Sequence, residues 1–416
     1  MKVLWITNCP LSSYMKAAHN DQNINAGWLD GVRDAIALSD DKKEIELSFC
    51  SLDVEENDIV INGSRYLSFR ANDYLRLEDI IDEIRPDLVH IFGTEYRHTL
   101  MATQILNNRN IPFVTLIQGL ISVCAKYYKV GLPKYIFPSI RDIIRNDSIT
   151  AQAKKFMNRG RFEIKALEKT KNIIGFTDWD NVCTRIINPS RRYFRSNLVL
   201  RSEFYEGDKW DVSKCERHSI FISQISYPIK GFHTFIDAIS LLKADYPDLK
   251  IYVTGRDIIH PKNVKDVLTQ SSYSYYLKHM LVSRGLQDSI KFLGRLDANN
   301  MKKWFLKSNV SVCCSVMENS SNSIYEAAIL GVPMVATMAG GNGSLIIHGK
   351  TGYLYDVLEP YMAYHYIRTI FEDDDVSKKL SVASIKLNEE RCSPQINGEE
   401  LILIYKRVLN DKGSVR

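Results

Sequence analysis

Two carboxylates eight positions apart, Glu318 and Glu326, bracket the small polar run Asn-Ser-Ser-Asn-Ser-Ile-Tyr. Ahead of them Val310-Ser-Val-Cys-Cys-Ser-Val316 reads as a buried strand. Behind them Ile324-Tyr-Glu-Ala-Ala-Ile-Leu330 reads as a helix stopped by Gly331 and Pro333. Strand, loop and helix start in that order make an anion-binding corner, because free backbone N–H groups and the positive end of the helix dipole face outward. Carboxylates beside such a corner can grip the hydroxyls of a sugar or ribose, so the combination suits a nucleotide sugar. A local reading competes for one of them: Ser323-Ile-Tyr-Glu326 has capping-box spacing, with Ser323 as N-cap and Glu326 reaching back to its N–H. Glu318 sits at a strand end, where parallel α/β sheets bind their ligands.

Other strand ends carry polar groups of the same kind. After the first strand a long polar loop leads to Asn25-Ala-Gly27, which opens a helix; Gly27 lets backbone approach a phosphate, or is an ordinary loop glycine. Leu88–Phe92 runs into Gly93-Thr-Glu95-Tyr-Arg97-His98, where Glu95 and His98 make a candidate acid–base or substrate-positioning pair. The next strand ends in Gln118-Gly119-Leu-Ile-Ser122, and a later one in Thr177-Asp178-Trp179-Asp180; these polar groups also read as helix caps. In the second half Gln224 precedes Lys230-Gly231-Phe232, a diphosphate clamp in which the ammonium supplies charge and the glycine permits close approach. Gly255-Arg256 and Leu293-Gly294-Arg295 follow two further strands, placed to meet a nucleotide from the side and to seat its base. Gly340-Gly341-Asn342-Gly343 forms a donor-rich turn after Pro333–Thr337.

These motifs need strands to position them. Short apolar, β-branched runs alternate with stretches of helical period. The expected strands are Lys2–Thr7, Ile45–Cys50, Leu88–Phe92, Phe113–Ile117 and Ile173–Phe176, then Ser219–Ser223, Lys250–Thr254, Ile290–Phe292, Asn309–Val316 and Pro333–Ala336. The alternation predicts parallel sheets with crossover helices, once in each half. A chain of 416 residues exceeds one ordinary core. The expected fold class is therefore α/β, two Rossmann-like doubly wound domains facing across a cleft. The turn-rich stretch Asn188–Asn197 and the polar stretch Glu206–Arg217 place the boundary near residue 205. That gives an acceptor-binding domain at 1–205 and a donor-binding domain at 206–390. Residues 391–416 form a C-terminal helix that crosses back to the first domain and ends in a frayed, charged tail.

Composition narrows the classes. The eight cysteines are scattered, without C-x-x-C pairs or zinc spacing, which fits a reduced, cytoplasmic protein. The opening residues read as a strand, too short for a signal peptide's apolar region, and no run reaches the ~20 apolar residues of a membrane span. Charge is uneven: Lys126–Lys171 holds twelve Lys and Arg against four Asp and Glu, a net of +8, which leaves −3 for the rest of a chain totalling +5. Tyr127, Tyr128, Tyr135, Phe137, Phe156 and Phe162 interleave with these charges. Such a segment either lies on an anionic membrane surface or forms a solvated, charge-laced helix pair. No nucleic-acid-binding motif accompanies it, so nucleic acid is not an expected partner.

Taken in order, Lys230-Gly231, Phe292-Leu-Gly294, Glu318 through Glu326, Gly331-Val-Pro333 and Gly340-Gly341 resemble the retaining glycosyltransferases of family 4, which have the GT-B fold. Glu-Asn-Ser-x-Asn-Ser followed by Glu-Ala, with Ile117-Gln-Gly-Leu-Ile121 and Thr177-x-Trp179-Asp180, looks like the enzymes of bacterial capsule and surface-polysaccharide synthesis. The resemblance implies a UDP- or GDP-sugar donor, a saccharide acceptor that is lipid-linked, transfer with retention, and no required cofactor or metal. Lys230 would neutralise the diphosphate, Glu318 bind the donor sugar and Glu326 the ribose. Asn322, Ser323 and Ile324 would donate to phosphates and sugar, and Gly27 would lie against the phosphates. Two positions depart from the pattern. Ser223-Gln224 stands where many relatives have Gly-Arg; either Arg256 or Arg295 supplies the second cation, or the diphosphate is held less tightly. Gln118 stands where many have histidine, and an amide cannot carry a proton near neutral pH; acid–base help would then come from Glu95, His98 or the donor phosphate. The alternatives in other classes are a nucleotide-sugar epimerase, a phosphorylase-like enzyme with a soluble acceptor, and a nucleotide-sugar-binding partner subunit without turnover.

Overall fold

A computed structural model describes residues 1–19, 27–261 and 263–410, which form two compact units. The first comprises Met1–Ser122, Asn158–Ser202 and Glu390–Arg416, the second Val123–Met157 and Glu203–Glu389.

The first unit is built on an eight-stranded sheet. Its strands are β1 (Lys2–Thr7), β2 (Glu46–Leu52), β3 (Asp58–Ile61), β4 (Ser64–Phe69), β5 (Leu88–Phe92), β6 (Phe113–Leu116), β7 (Asn172–Gly175) and β8 (Arg192–Arg195), ordered β3-β4-β2-β1-β5-β6-β7-β8. All neighbours are parallel except the β3–β4 hairpin. Helices cover the sheet faces, so β1 and β5 are near-continuous apolar runs. Leu4, Ile6, Val89 and Ile91 pack with Leu77, Ile80, Ile81, Ala102, Ile105 and Leu106 from two helices. From β1 the chain runs outward through β2 and β4, then places β5 on the other side of β1. The topological switch therefore lies beyond the C-terminal ends of β1 and β5, where doubly wound sheets bind ligands.

The C-terminal helix Pro394–Asn410 belongs to this unit. A Cβ at Gly398 would stand 2.2 Å from the Ala35 carbonyl oxygen, so glycine is what lets it lie on helix Gly27–Ser39. Inside the unit the Tyr405 hydroxyl accepts from Trp5 Nε1 at 3.1 Å and meets His90 Nδ1 at 2.7 Å. Burial lowers the His90 pKa to about 3. The tail expected beyond this helix lies outside the described residues.

The second unit has a six-stranded, all-parallel sheet: β9 (Glu216–Ile222), β10 (Lys250–Val253), β11 (Ile290–Phe292), β12 (Ser308–Cys313), β13 (Met334–Thr337) and β14 (Tyr353–Tyr355), ordered β11-β10-β9-β12-β13-β14. Here the switch falls between β9 and β12.

Ten expected strands are present within a few residues of their expected ends, and the differences have local causes. The strand expected to reach Val316 stops at Cys313, because the chain turns off the sheet and Val316 N donates to Ile229 O at 2.9 Å. The β3–β4 hairpin was not expected, although Asn62-Gly63 is a two-residue turn signal and both residues adopt positive φ, 50° and 82°. Strand β8 lies in the stretch read as a turn-rich connection, and helix Ser12–His19 in the stretch read as a polar loop. The units are not contiguous in sequence: the chain passes between them at Ser202–Glu203 and Glu389–Glu390, and one division falls inside helix Ile149–Glu168. Val123–Met157 joins the second unit because Ser139 Oγ donates to Gln270 O (2.8 Å), the Asp142 carboxylate accepts from Ser272 N (2.8 Å), and His233 Nε2 meets Val130 O at 2.8 Å.

Candidate active site

At the switch of the second unit two loops interlock. After β9 the short turn Pro228–Lys230 ends at Gly231, whose φ is +69°. A Cβ there would stand 1.9 Å from the Cys314 carbonyl oxygen, so only glycine lets the Lys230 loop seat against the chain leaving β12. The loop after β13 approaches from the other side: a Cβ at Gly340 (φ +59°) would stand 2.0 Å from Glu318 O, and Gly341 N donates to that oxygen at 2.9 Å. Two glycines thus clamp the Glu318 loop. Across it Lys230 Nζ and Glu318 Oε2 form an ion pair at 2.7 Å, and Ser315 Oγ donates to the same oxygen at 3.2 Å. Burial opposes charge on Lys230, but the Glu318 carboxylate outweighs it and holds the ammonium pKa above its ordinary value. The pair keeps one fixed cation and one fixed anion at the C-terminal edge of the sheet.

The helix after this loop spans Asn322–Leu330 and is closed by Gly331 in the left-handed region, as expected from its sequence. Its start corrects the capping-box reading. The N-cap is Ser321, without a side-chain cap, so Ser323 lies inside the first turn with its hydroxyl 3.0 Å from Ser321 Oγ. Glu326 is buried in the second turn. Asn322 and Ser323 open the helix at the corner, whereas the Ile324 amide already donates to Ser321 O at 3.1 Å.

The neighbouring strand ends complete this edge. Gly255 N donates to Gly294 O at 2.7 Å in an isolated bridge, and both glycines have positive φ. The bridge sets the loops bearing Arg256 and Arg295 side by side, and Leu293 N extends the pairing to Val253 O at 2.9 Å. Arg256 is 74% exposed and paired with Asp266 at 3.7 Å. Gln224 donates to Ser226 Oγ at 2.9 Å on the exposed loop after β9.

The switch of the first unit is built differently. Asn8, directly after β1, donates from Nδ2 to Glu95 Oε1 (3.2 Å) and to Gln118 Oε1 (3.3 Å), joining the loops after β1, β5 and β6. Gly93 (φ +90°) makes room: a Cβ there would stand 2.1 Å from Asn8 Nδ2. Burial pushes the Glu95 carboxyl above its ordinary range against donors from Thr94 and Asn8 and the nearby Arg159 charge. His98 does not join this group. It is buried in the first turn of helix Arg97–Asn108, edge-on to Phe69 and stacked on Tyr96, and burial lowers its pKa to about 4. The expected Glu95–His98 acid–base pair is thus replaced by Asn8–Glu95–Gln118. Gly27 is the first residue of its helix, and Asn25 and Ala26 ahead of it lie outside the described residues. Asn8 and Ser315 were not singled out from the sequence, although both sit at or just past the strand ends that flank a switch.

The basic segment divides between the units after Met157. Its second-unit part displays Tyr135, Phe137, Ile140, Ile143 and Ile144 to solvent, Phe137 at 87% and Ile144 at 78% exposure. The short helix Ile140–Ile144 is held by a complete Ser139/Asp142 capping box, which keeps its isoleucines on the outer face. Among the described residues no helix is long and apolar enough to cross a membrane, and no group of three or more His, Cys, Asp or Glu could hold a metal ion.

Residues 208–387, within the second unit, match the family model described as "Glycosyl transferases group 1". Spore coat protein SA of Bacillus subtilis is 23% identical over 58% of this chain and 60% of its own length. Such alignments span 60%, 46% and 30% of three curated relatives, about half their length. Among solved structures, sucrose-phosphate synthase of Thermosynechococcus elongatus superposes with a TM-score of 0.73 at 13% identity, covering 99% of this chain and 100% of that one. The Anabaena protein HepE in complex with UDP-glucose superposes with a TM-score of 0.64 at 15% identity over 100% of both chains. The chain has the two-domain GT-B fold, and over residues 208–387 it is similar to the group 1 glycosyl transferases.

Proposed function

We propose that this protein is a retaining glycosyltransferase that moves a sugar from a nucleoside diphosphate sugar to a lipid-linked saccharide at the cytoplasmic face of a membrane, in surface polysaccharide synthesis. The observation that carries the reading is the Lys230–Glu318 pair, held by Gly231 and Gly340 at the switch point of a unit that matches glycosyl transferases. In this reading Lys230 neutralises the departing diphosphate, while the start of helix Asn322–Leu330 adds its dipole. Glu318 holds donor-sugar hydroxyls and Glu326 the ribose. Arg256 or Arg295 supplies the second cation that Gln224 does not. The bond from the anomeric carbon to the phosphate oxygen breaks with its electron pair going to the diphosphate. The acceptor oxygen attacks from the same face and its proton passes to a phosphate oxygen. Glu95 and Gln118, at the switch of the first unit, orient the acceptor saccharide, and no side-chain base is needed.

The acceptor assignment rests on the apolar and basic surface around Phe137 and Ile144, where each Lys or Arg close to an anionic bilayer adds about 1 kcal/mol. Sedimentation with anionic vesicles tests it: salt-sensitive binding supports the surface role, and its absence removes it. For the donor, the UDP-glucose complex of the Anabaena protein makes uridine the first nucleoside to try. A thermal-shift panel of UDP, GDP and their sugars reads this directly, since a ligand at a hundred times its Kd stabilises by about 2.7 kcal/mol. Product analysis then tests retention of anomeric configuration, and inversion would refute that part.

A further inference from the structure

The reaction above makes no use of Glu163, a fully buried carboxylate (0% exposed) on helix Ile149–Glu168 in the first unit. Its two oxygens accept four hydrogen bonds. Oε2 takes Thr94 Oγ1 at 2.9 Å and Ile121 N at 3.1 Å; Oε1 takes Ser122 N at 2.9 Å and Ser122 Oγ at 2.5 Å. Thr94 immediately precedes Glu95 on the loop after β5. Ile121 and Ser122 open helix Ile121–Tyr127, which ends the loop after β6 that begins at Gln118. One carboxylate therefore binds both loops from beneath, while Asn8 ties Glu95 to Gln118 from the strand edge.

A neutral amide cannot take its place. Each oxygen of Glu163 faces a backbone N–H, so glutamine in either orientation would turn an N–H donor toward another donor. Gly160, one helical turn earlier, permits the close approach: a Cβ there would stand 2.6 Å from Ser122 Cα. A buried carboxylate is costly unless satisfied by hydrogen bonds, and these four donors come from the loop after β5 and from the first two residues of helix Ile121–Tyr127.

We propose that Glu163 is a positioning residue for the acceptor, fixing the loops after β5 and β6 so that Glu95 and Gln118 meet the acceptor saccharide at the first unit's switch in one geometry. This rests on the glycosyl-transfer reading. Glu163→Gln is compared with the wild type in UDP binding and in steady-state transfer from the donor found by the panel. UDP affinity should stay within about twofold, because neither Glu163 nor its partners are among the residues read as holding the nucleotide, while kcat should fall about 100-fold, the scale of a misplacement near 1 Å. Ser122→Ala, which keeps the carboxylate but removes one donor, should fold normally and shift the acid limb of the kcat–pH profile to higher pH. A kcat for Glu163→Gln within threefold of wild type overturns the proposal, as does an unshifted acid limb in Ser122→Ala. Should Glu163→Gln fail to fold, the Ser122→Ala profile alone decides. A wild type that transfers no sugar from any donor would instead refute the glycosyl-transfer reading itself.

Discussion

The two switch points solve the same placement problem with different chemistry. In the second unit a charge pair, Lys230–Glu318, is set by backbone contacts that only glycine permits, at Gly231 and Gly340. In the first unit Asn8, Glu95 and Gln118 are set by side-chain hydrogen bonds, with a buried carboxylate beneath them. In the proposed reading the second-unit edge holds a diphosphate, which calls for fixed positive charge kept in place by rigid backbone. In the same reading the first-unit network recognises saccharide hydroxyls, which calls for the directional donors and acceptors that side-chain networks supply.

The largest expected effect breaks the glycine clamp. Gly231→Ala combines positive φ with a Cβ overlapping the Cys314 carbonyl oxygen, so it should cost about 3 kcal/mol or more in stability and abolish nucleotide binding. Calorimetric titration with UDP and urea unfolding measure both, and near-wild-type binding would show that the two loops are not tightly joined. Lys230→Ala should weaken nucleoside diphosphate binding by about 1.5–3 kcal/mol, the worth of a charge-assisted hydrogen bond. An unchanged Kd would remove Lys230 from the clamp.

His98 sharpens the contrast in the first unit. Its folded pKa of about 4 lies below the unfolded value of 6.5, so below pH 6.5 the unfolded chain binds the extra proton. The associated stability is fully present above pH 6.5 and is lost as pH falls toward 4. His98→Phe should therefore reduce by about 2 kcal/mol the stability lost between pH 7 and 5, with turnover kept within a few-fold. Loss of activity in this variant would restore His98 to the chemistry. Asn8→Ala, the mildest change, removes two long hydrogen bonds and should cost about 1 kcal/mol. It should raise the acceptor KM more than the donor KM; the reverse order would place Asn8 on the donor side.

The same contrast explains what could be read in the sequence. Glycine clamps are local: Lys230-Gly231 and Gly340-Gly341 announce turns beside strands, and Glu318 through Glu326 forms one continuous stretch. Strand periodicity likewise located the cores of both sheets. The capping box failed because Ser321 and Ser323 are both suitable N-caps and spacing alone does not choose between them. The Asn8–Gln118 and Thr94–Glu163 contacts join residues 110 and 69 positions apart, so nothing near any of these residues marks the network. His98 was misread for the converse reason: it is adjacent in sequence to the loop but turned into the apolar core. Segment Val123–Met157 joins the second unit through Ser139 and Asp142, a placement that charge and aromatic content cannot convey.

The most direct test of the central claim, that a nucleotide sugar is bound and used at the Glu318–Glu326 edge, compares initial rates of sugar transfer by the wild type and Glu326→Ala with the same donor. The wild type should transfer, while Glu326→Ala, folded by circular dichroism, should lose transfer or show at least a tenfold rise in donor KM, equivalent to about 1.4 kcal/mol. Unchanged kcat and donor KM in Glu326→Ala would contradict the assignment.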